Sequence, residues 1–476
     1  MLPSQTSAGD LDAFLVKYSS DGVRQYTRQY GSSGADHIRE VIFYNGNIYA
    51  GGEVSNGFGG VASAGGTDFG FMRISPSTGN LAFTRMVGTT SNEYVNHMAV
   101  DASGNFYLVG VSDVPGNRNG YAACYTSAGQ LVWSQSYSSD GAFTDEALGI
   151  APDNLGYVYI VGLTYGSWSG LNVFNNGGGD IWLQIVLAAT GAVTVVRLLG
   201  SNRFEQARHV MYNPSEDCLY AIGQVNGGST YAGQYAVGNG NIAVYKISSS
   251  GTLVWSTVRG GTDSNGDVAY ALALDNANNR LWVMGQTSTT LNGQMNMGGP
   301  FDMAVMLVRM STGAVLSTSL FGTTGNDQIV GCFLSPSETL IIGGSSNGPV
   351  DGIRYNGGTS LDGFVKKVRV ADLLPNGNEW SRVGGQPTGD AFYSVTEDNT
   401  GALYATGYVR GSVHGAGSFG GDDVIVVKYN SVGDRQWTRI YGTGGNDIGR
   451  AIHFQSSDGF IYVDGHAASG FNGVTS

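Results

Sequence analysis

Eight acidic side chains recur along the chain at intervals of 52 to 63 residues, each after a glycine-rich stretch such as GSSGAD or GTGGND. They are Asp36, Glu93, Asp145, Glu205, Asp267, Asp327, Asp390 and Asp447. A ring of these carboxylates could bind Ca²⁺ or a cationic partner. The alternative is structural, because aspartate in such turns accepts hydrogen bonds from backbone N–H groups. We favour turn capping, since eight converging like charges would repel, and Arg39, Arg208 and Arg450 are close enough in sequence to pair with the acids.

The six histidines do not form a recognisable catalytic or metal-binding motif. His97 and His209 occupy the same position of their repeats, but a whole repeat lies between them, so we expect them to stay apart. No pair has the spacing of a zinc helix, and there is no cluster of cysteine and histidine. The sequence therefore predicts no catalytic residue, no metal site and no cofactor, with Ca²⁺ as the remaining alternative.

Aromatic side chains on the long connections are the candidate binding residues. They are Phe58, Trp168, Phe174, Tyr231, Tyr235, Tyr355 and Phe419. Exposed aromatic groups anchor protein interfaces, and sugar rings stack on them. The alternative is that each folds back onto its own repeat, which their similar placement in successive repeats favours.

A unit of four short apolar runs, A to D, positions all these residues. In the last copies, run A is Ile448–Phe454, run B is Phe460–Val463, run C is Asp422–Tyr429 and run D is Arg435–Tyr441. A glycine closes run B in all eight copies, and seven copies have an aromatic residue three positions earlier. Runs of this length, rich in Val, Ile, Tyr and Trp, predict β-strands.

A single four-stranded sheet cannot bury both faces, whereas radial repetition lets each sheet cover its neighbours. The chain opens on runs C and D (Asp12–Tyr18 and Arg24–Tyr30) and ends on runs A and B. We therefore predict an all-β fold: a single eight-bladed β-propeller domain over residues 1–476, with four antiparallel strands per blade and a last blade shared by the two ends of the chain. The predicted blades are 36–88, 93–137, 145–200, 205–260, 267–322, 327–384, 390–442, and 447–465 with 12–31.

The longest connections run from B to C, and they should emerge on the same face as the acidic residues. Functional residues usually lie on such loops above a rigid scaffold. In the second repeat only Val111–Gly120 separates the two runs, which predicts a notch in the rim.

Composition excludes several classes of partner. With 24 Lys and Arg against 37 Asp and Glu, the net charge is −13, which disfavours nucleic acid because phosphate contacts require cations. No apolar run approaches the ~18 residues of a membrane helix, so no membrane insertion is expected. Cys124, Cys218 and Cys332 lie in different repeats and imply no disulfide framework. The first residues show no signal peptide, so we expect an intracellular protein, a processed form or a piece of a longer chain.

The phrases DAFLVKYSSDGVRQYTRQYG and SSDGFIYVDG resemble the bacterial β-propeller repeat family usually labelled seven-bladed. The resemblance extends from Asp12 to Gly465 and departs from the family in blade number. It implies a non-enzymatic interaction or scaffold module, extracellular or at the cell surface, with a place in a larger assembly or longer chain. From the long connections we expect its protein or glycan partner on the B–C loop face. Two alternatives remain: a lectin-like carbohydrate-binding propeller, and an enzyme that acts on an anionic substrate at the axis.

Overall fold

The computed structural model describes residues 8–228, 230–231, 234–261, 266–335, 339–348, 350, 361–369, 378–384 and 389–470. Eight antiparallel sheets of four strands each form the blades, so the predicted eight-bladed propeller is confirmed. We letter the strands A to D within each blade. Blades 1 to 4 consist of His37–Tyr44, Asn47–Ser55, Thr67–Ile74 and Leu81–Val87; Asn92–Val100, Asn105–Val114, Asn117–Thr126 and Leu131–Tyr137; Asp145–Pro152, Tyr157–Thr164, Asp180–Leu187 and Val193–Leu199; and Glu205–Asn213, Cys218–Val225, Asn241–Ser248 and Leu253–Arg259.

Blades 5 to 7 continue in the same order along the chain. They consist of Val268–Asp275, Arg280–Thr287, Asp302–Arg309 and Val315–Phe321; Asp327–Leu334, Thr339–Ser346, Asp362–Arg369 and Asn378–Gly384; and Ala391–Glu397, Leu403–Val409, Asp423–Tyr429 and Arg435–Tyr441. The remaining structure includes a small hairpin, Thr230–Tyr231 with Gln234–Tyr235, and two 3₁₀ helices, Ser169–Leu171 and Asn276–Asn278. Among the described residues, no helix has the length and apolar character needed to cross a membrane.

Blade 8 joins the two ends of the chain. Its strands A and B are Ile448–Gln455 and Phe460–Ala467, and its strands C and D are Asp12–Tyr18 and Arg24–Tyr30. Strand Asp12–Tyr18 pairs antiparallel with Phe460–Ala467, from Asp12 opposite Ala467 to Tyr18 opposite Ile461. The predicted closure of the ring is therefore confirmed, and it depends on backbone hydrogen bonds and packing.

The eight A strands surround the axis, because each contacts the A strand of the next blade and blade 8 contacts blade 1. Each A strand contains a β-bulge, and the extra residues are Arg39, Asn96, Leu148, Arg208, Tyr270, Val330, Tyr393 and Arg450. Bulges re-aim side chains and sharpen the local twist.

The bulge explains the glycine that closes every B strand. A Cβ atom on Gly52 would overlap the carbonyl oxygen of His37, and one on Gly465 would overlap that of Ile448. The same overlap with strand A occurs at the glycine of each of the other blades. The glycine is thus required because strand A crosses it too closely for any side chain.

The core lies in the gaps between blades. The aromatic residue of strand B is buried there, and in five blades its hydroxyl donates to a carboxylate in or beside the A–B turn. These pairs are Tyr107 with Asp101, Tyr159 with Asp153, Tyr220 with Glu216, Tyr404 with Asp398, and Tyr462 with Asp458. The recurring aromatic position therefore both packs adjacent blades and closes a turn.

Candidate binding face and axial channel

The antiparallel order of the strands divides the connections between two faces. We call the side of the D–A and B–C connections the loop face, and the side of the A–B and C–D turns the turn face. All eight repeated acids lie at or beside the starts of A strands on the loop face, and each is at most 2% exposed.

The repeated acids cap their own turns. The Asp36 carboxylate accepts hydrogen bonds from the Ser32 backbone N–H and hydroxyl and, through its other oxygen, from the Ser55 N–H at 2.8 Å. Serine or threonine four residues earlier donates in the same way at Glu93, Glu205, Asp327 and Asp447, whereas Asp145 accepts from Ser139, Asp267 from Gly261 and Asp390 from the Arg410 N–H. This geometry directs the carboxylates into the backbone rather than toward a ligand.

A second set of buried acidic residues lies at the starts of C strands. Its members are Asp12, Asp68, Asp180, Asp302, Asp362 and Asp423, with Asn241 at the position in blade 4. One oxygen of Asp180 accepts the Asn176 N–H at 2.9 Å, and the other packs against Gly200, where a Cβ would overlap it. The sequence signal was the glycine that follows most D strands.

Burial raises the carboxyl pKa of two members of this second set. It raises the pKa of the Asp180 carboxyl to about 6, and the nearby Glu205 carboxylate adds to the effect. Burial likewise raises the pKa of Asp302 to about 6, with a contribution from Asp327. These two aspartates are therefore ionised at neutral pH at a cost in stability.

Among the described residues, no group of three or more His, Cys, Asp or Glu side chains has a geometry that could hold a metal ion. We expect EDTA to change the melting temperature by no more than about 3 °C, since the repeated carboxylates already accept protein N–H and O–H groups. Differential scanning calorimetry with and without chelator checks this. A drop of about 10 °C or more, reversed by added Ca²⁺, would contradict it.

Bulge residues of neighbouring blades meet around the axis. The Arg208 guanidinium lies 5.9 Å from the centre of the Tyr270 ring, and that of Arg450 lies 5.0 Å from the Tyr393 ring. The expected pairing of arginines with the repeated acids is wrong for Arg39, whose Nε lies 2.9 Å from Glu53 on strand B instead. The bulge is the physical reason, because it turns these side chains into the channel and away from the turn.

The prediction that His97 and His209 stay apart is also wrong. Their ring centres lie 5.1 Å apart, although blade 3 separates their strands. They meet because the A strand of blade 3 has Gly149 at the equivalent position, where a Cβ would lie 3.2 Å from the His209 Cα. Glu40 occupies the equivalent position of blade 1, and its Oε2 atom lies 3.7 Å from His97 Nε2. We call Glu40, His97 and His209 the axial row.

Burial shifts the pKa values of the groups in and beside this axial row. Burial lowers the pKa of His97 to about 4 and that of His209 to about 3. Burial raises the pKa of Glu40 to about 7, and that of Asp464, which lies near Glu40, to about 8. At neutral pH the histidines are therefore neutral and Asp464 is mostly protonated.

In five blades the described part of the B–C connection includes a small hairpin. It is marked by paired residues Phe58 and Val61, Trp168 and Val173, Leu291 and Gln294, and Val413 and Ala416, and by the hairpin of blade 4. Leu291 and Val413 are buried, and the Trp168 ring stacks 5.6 Å from that of Trp182. Phe58 and Phe419 pack against the interblade core.

Of the four candidate aromatic residues whose side chains are described, Phe174 is the most exposed, at 60%. Phe143, Tyr165 and Leu171 are also exposed, at 47%, 41% and 53%, on the connections of the same blade. We call these four residues the blade-3 patch. The Ser169 N–H donates to the Asp140 carboxylate at 2.6 Å, which ties the two connections together.

Three candidates have no described side chain. Tyr355 lies outside the described residues, and only the backbones of Tyr231 and Tyr235 are described.

The sequence predicts a notch at the B–C connection of blade 2. In the structure the two strands form a hairpin there, joined by only two residues, Pro115 and Gly116. A cavity of about 320 Å³ lies beside this hairpin, lined by residues that include Arg39, Glu53, Asn96, Arg118 and Glu146. Arg118 forms ion pairs with Asp113 and Glu146, so the charges at the channel mouth are largely paired.

Comparison with solved structures gives propellers of diverse kinds. They include a quinohemoprotein alcohol dehydrogenase from Pseudomonas putida HK5 (TM-score 0.51, 10% identity, 91% of this chain and 74% of that one). Sqt1 from Chaetomium thermophilum (0.49, 12%, 91% and 94%) and BamB from Moraxella catarrhalis (0.44, 11%, 90% and 98%) are similar to a comparable extent. No family model matches the chain, and no curated protein matches its sequence. At such identities the likeness shows the fold alone.

Proposed function

We propose that the chain is a non-enzymatic protein-interaction module that binds a protein partner through its loop face. The blade-3 patch carries the proposal. Exposed apolar groups gathered on one loop cluster are typical of interaction sites, and buried aromatic anchors dominate binding energy. A location outside the cell or on its surface is proposed on the repeat resemblance.

The contrast with the other B–C connections supports this role. On those connections Phe58 and Phe419 pack against the propeller and Leu291 and Val413 are buried, while the exposed apolar side chains are the methionines of blade 5, Met295 and Met297. In blade 3 the same kind of connection holds Trp168 inward while it presents Leu171 and Phe174 to solvent. The fold therefore does not require Phe174 to be aromatic, and a partner would give that side chain a role.

The test is capture of partner proteins from the producing organism by the immobilised full chain, quantified by mass spectrometry. We expect the double variant Leu171→Ser/Phe174→Ser to capture at least about ten-fold less of a partner protein than wild type. The reason is that two exposed anchors each contribute about 1 kcal/mol or more to binding. The matched control is Met295→Ser, which removes a 77% exposed side chain from the equivalent connection of blade 5. Equal capture by wild type, control and double variant would contradict the proposal.

A carbohydrate-binding role has one specific observation in its favour, since a half-exposed ring such as Phe174 can also stack on a sugar. Binding to a glycan array that Phe174→Ser abolishes would replace the protein partner with a glycan. An enzyme for an anionic substrate has less support, because Arg39 is paired with Glu53 and the Arg208 and Arg450 side chains lie over tyrosine rings.

A further inference from the structure

A lysine cage recurs on the turn face, between one blade and the next. In blade 8, Lys17 on strand C donates from Nζ to Asp458 Oδ2 at 3.0 Å, and Asp458 also accepts the Tyr462 hydroxyl. The same Nζ donates at 3.0 Å to the carbonyl of Pro76 in the C–D turn of blade 1. The cage thus consists of a carboxylate, the strand-B tyrosine and a carbonyl of the following blade.

Two further blades have the same arrangement. In blade 4, Lys246 Nζ donates to Glu216 at 3.0 Å and to the Met310 carbonyl at 3.3 Å. In blade 7, Lys428 Nζ donates to the Ser20 carbonyl at 2.9 Å and lies 3.8 Å from Asp398 Oδ2. The lysine stands opposite the strand-B tyrosine in all three registers.

Blade 2 has the cage without the lysine. The Tyr107 hydroxyl donates to Asp101 at 2.9 Å, and the Trp133 indole N–H donates to the Ala188 carbonyl at 2.8 Å. The indole N–H groups of Trp255 and Trp437 donate in the same way to the equivalent carbonyls, those of Met310 in blade 5 and Ser20 in blade 8. The residue opposite Tyr107, however, is Cys124. Its side chain is shorter than that of lysine and carries no positive charge.

A cavity occupies the place of the missing side chain. Its volume is about 460 Å³, within the range of about 300–1,000 Å³ for ligand pockets, and its lining includes Asp101, Tyr107, Cys124 and Ala188. Asp101 is 8% exposed. Its Oδ1 accepts the Ser103 and Asn105 N–H groups, and its Oδ2 accepts the Asn105 side-chain amide as well as the Tyr107 hydroxyl, but no Lys or Arg in the described chain forms an ion pair with it. The cavity therefore places a nearly buried carboxylate beside open space large enough for a side chain.

We propose that this cavity accepts a lysine side chain from a protein partner, whose ammonium takes the position that Lys17, Lys246 and Lys428 occupy in their own blades. The proposal rests on the proposed function only in that the partner is a protein. It adds a contact on the turn face, opposite the blade-3 patch.

The rim of the cavity suits a lysine flanked by apolar residues. Val132 and Tyr157 line it and are 42% and 41% exposed, and Leu155 in the adjoining turn is 74% exposed. Apolar flanks would cover these groups, while the negative charge of Asp101 selects a cation. A charge-assisted hydrogen bond in a partly dry site is the stronger kind, so the ammonium should decide the affinity.

The probe is the peptide acetyl-Leu-Lys-Leu-amide, compared with the same peptide containing norleucine, which has the stem without the charge. The readout is the indole ¹H–¹⁵N signal of Trp133 in the full-length protein, because this group donates to the cage carbonyl. We expect saturable shifts of the Trp133 signal with the lysine peptide alone. The Trp255 and Trp437 signals, which report cages already filled, should stay unchanged.

Two variants decide the site. Asp101→Asn keeps an oxygen for the turn N–H groups but removes the charge, and should weaken binding at least about ten-fold. Cys124→Lys should fill the cage from within and abolish the response; if that variant does not fold, Cys124→Met blocks the cavity with a neutral stem.

An unmoved Trp133 signal, equal shifts with norleucine, or an unchanged response in Asp101→Asn would overturn the proposal. If these results coincide with capture that still depends on Leu171 and Phe174, only the turn-face site falls and the proposed function stands.

Discussion

Replacing Phe14 by alanine is expected to lower the free energy of unfolding by about 3–5 kcal/mol, as for other buried phenylalanines. Phe14 is fully buried on the strand that closes the ring, and its ring packs edge-on against Tyr441 of blade 7 at 5.8 Å. The substitution leaves a cavity at the junction of blades 7 and 8. Urea unfolding followed by tryptophan fluorescence measures the loss.

Phe364→Ala is the matched control, since Phe364 is equally buried and pairs with Gly344 as Phe14 pairs with Gly465. Both variants should lose similar global stability. Only Phe14→Ala should speed amide hydrogen exchange selectively in Asp12–Tyr18 and Phe460–Ala467, because only there is the blade built from distant parts of the chain. Uniform acceleration over all blades in the Phe14→Ala protein would contradict this view of the closure.

The double variant Asp180→Asn/Asp302→Asn is expected to be more stable than wild type at pH 8 by about 1–3 kcal/mol per site. Burial raises both folded pKa values from 3.8 to about 6, so the folded chain holds more protons than the unfolded chain between these pH values. Stability from these groups is therefore fully present below about pH 4 and is lost as pH rises through about 6. An amide stays neutral throughout, and blade 4 already has Asn241 at this position.

Urea unfolding at pH 5 and pH 8 tests this, and the gain should shrink at the lower pH. Asp447→Asn is the contrasting variant. Its carboxylate accepts hydrogen bonds from the Thr443 N–H and hydroxyl and from the Ala468 N–H, so the variant should lose about 1–3 kcal/mol. Because burial raises the pKa of Asp447 as well, the loss should be larger at pH 5 than at pH 8. A double variant less stable than wild type at pH 8 would show that the carboxylates at Asp180 and Asp302 stabilise the fold.

The blade number and the shared blade could be predicted because they depend on local features that repeat. The glycine at positions such as Gly52 and Gly465 is fixed by its close approach to strand A, and the tyrosine at positions such as Tyr107 and Tyr462 by packing between blades. Each constraint acts within one blade or across one gap, so it recurs along the sequence, the glycine in all eight copies and an aromatic residue in seven.

The contacts at the axis could not be predicted, because they depend on several blades at once. His97 meets His209 only because the intervening residue is Gly149, and Arg39 turns from Asp36 to Glu53 because a bulge re-aims it. The exposure of Phe174 beside the inward Trp168 likewise depends on the path of one loop. Sequence spacing identifies these positions but does not give the direction of their side chains.

The antiparallel register that sets Asp12 beside Ala467 has a mechanical consequence. The two polypeptide ends leave the seam at the same end of the paired strands, and the hydrogen bonds between antiparallel strands run perpendicular to them. Tension applied through both ends would break these bonds one after another, starting at that end, instead of loading all of them at once in shear. The ring would thus yield to pulling at its seam long before the covalently continuous blades gave way.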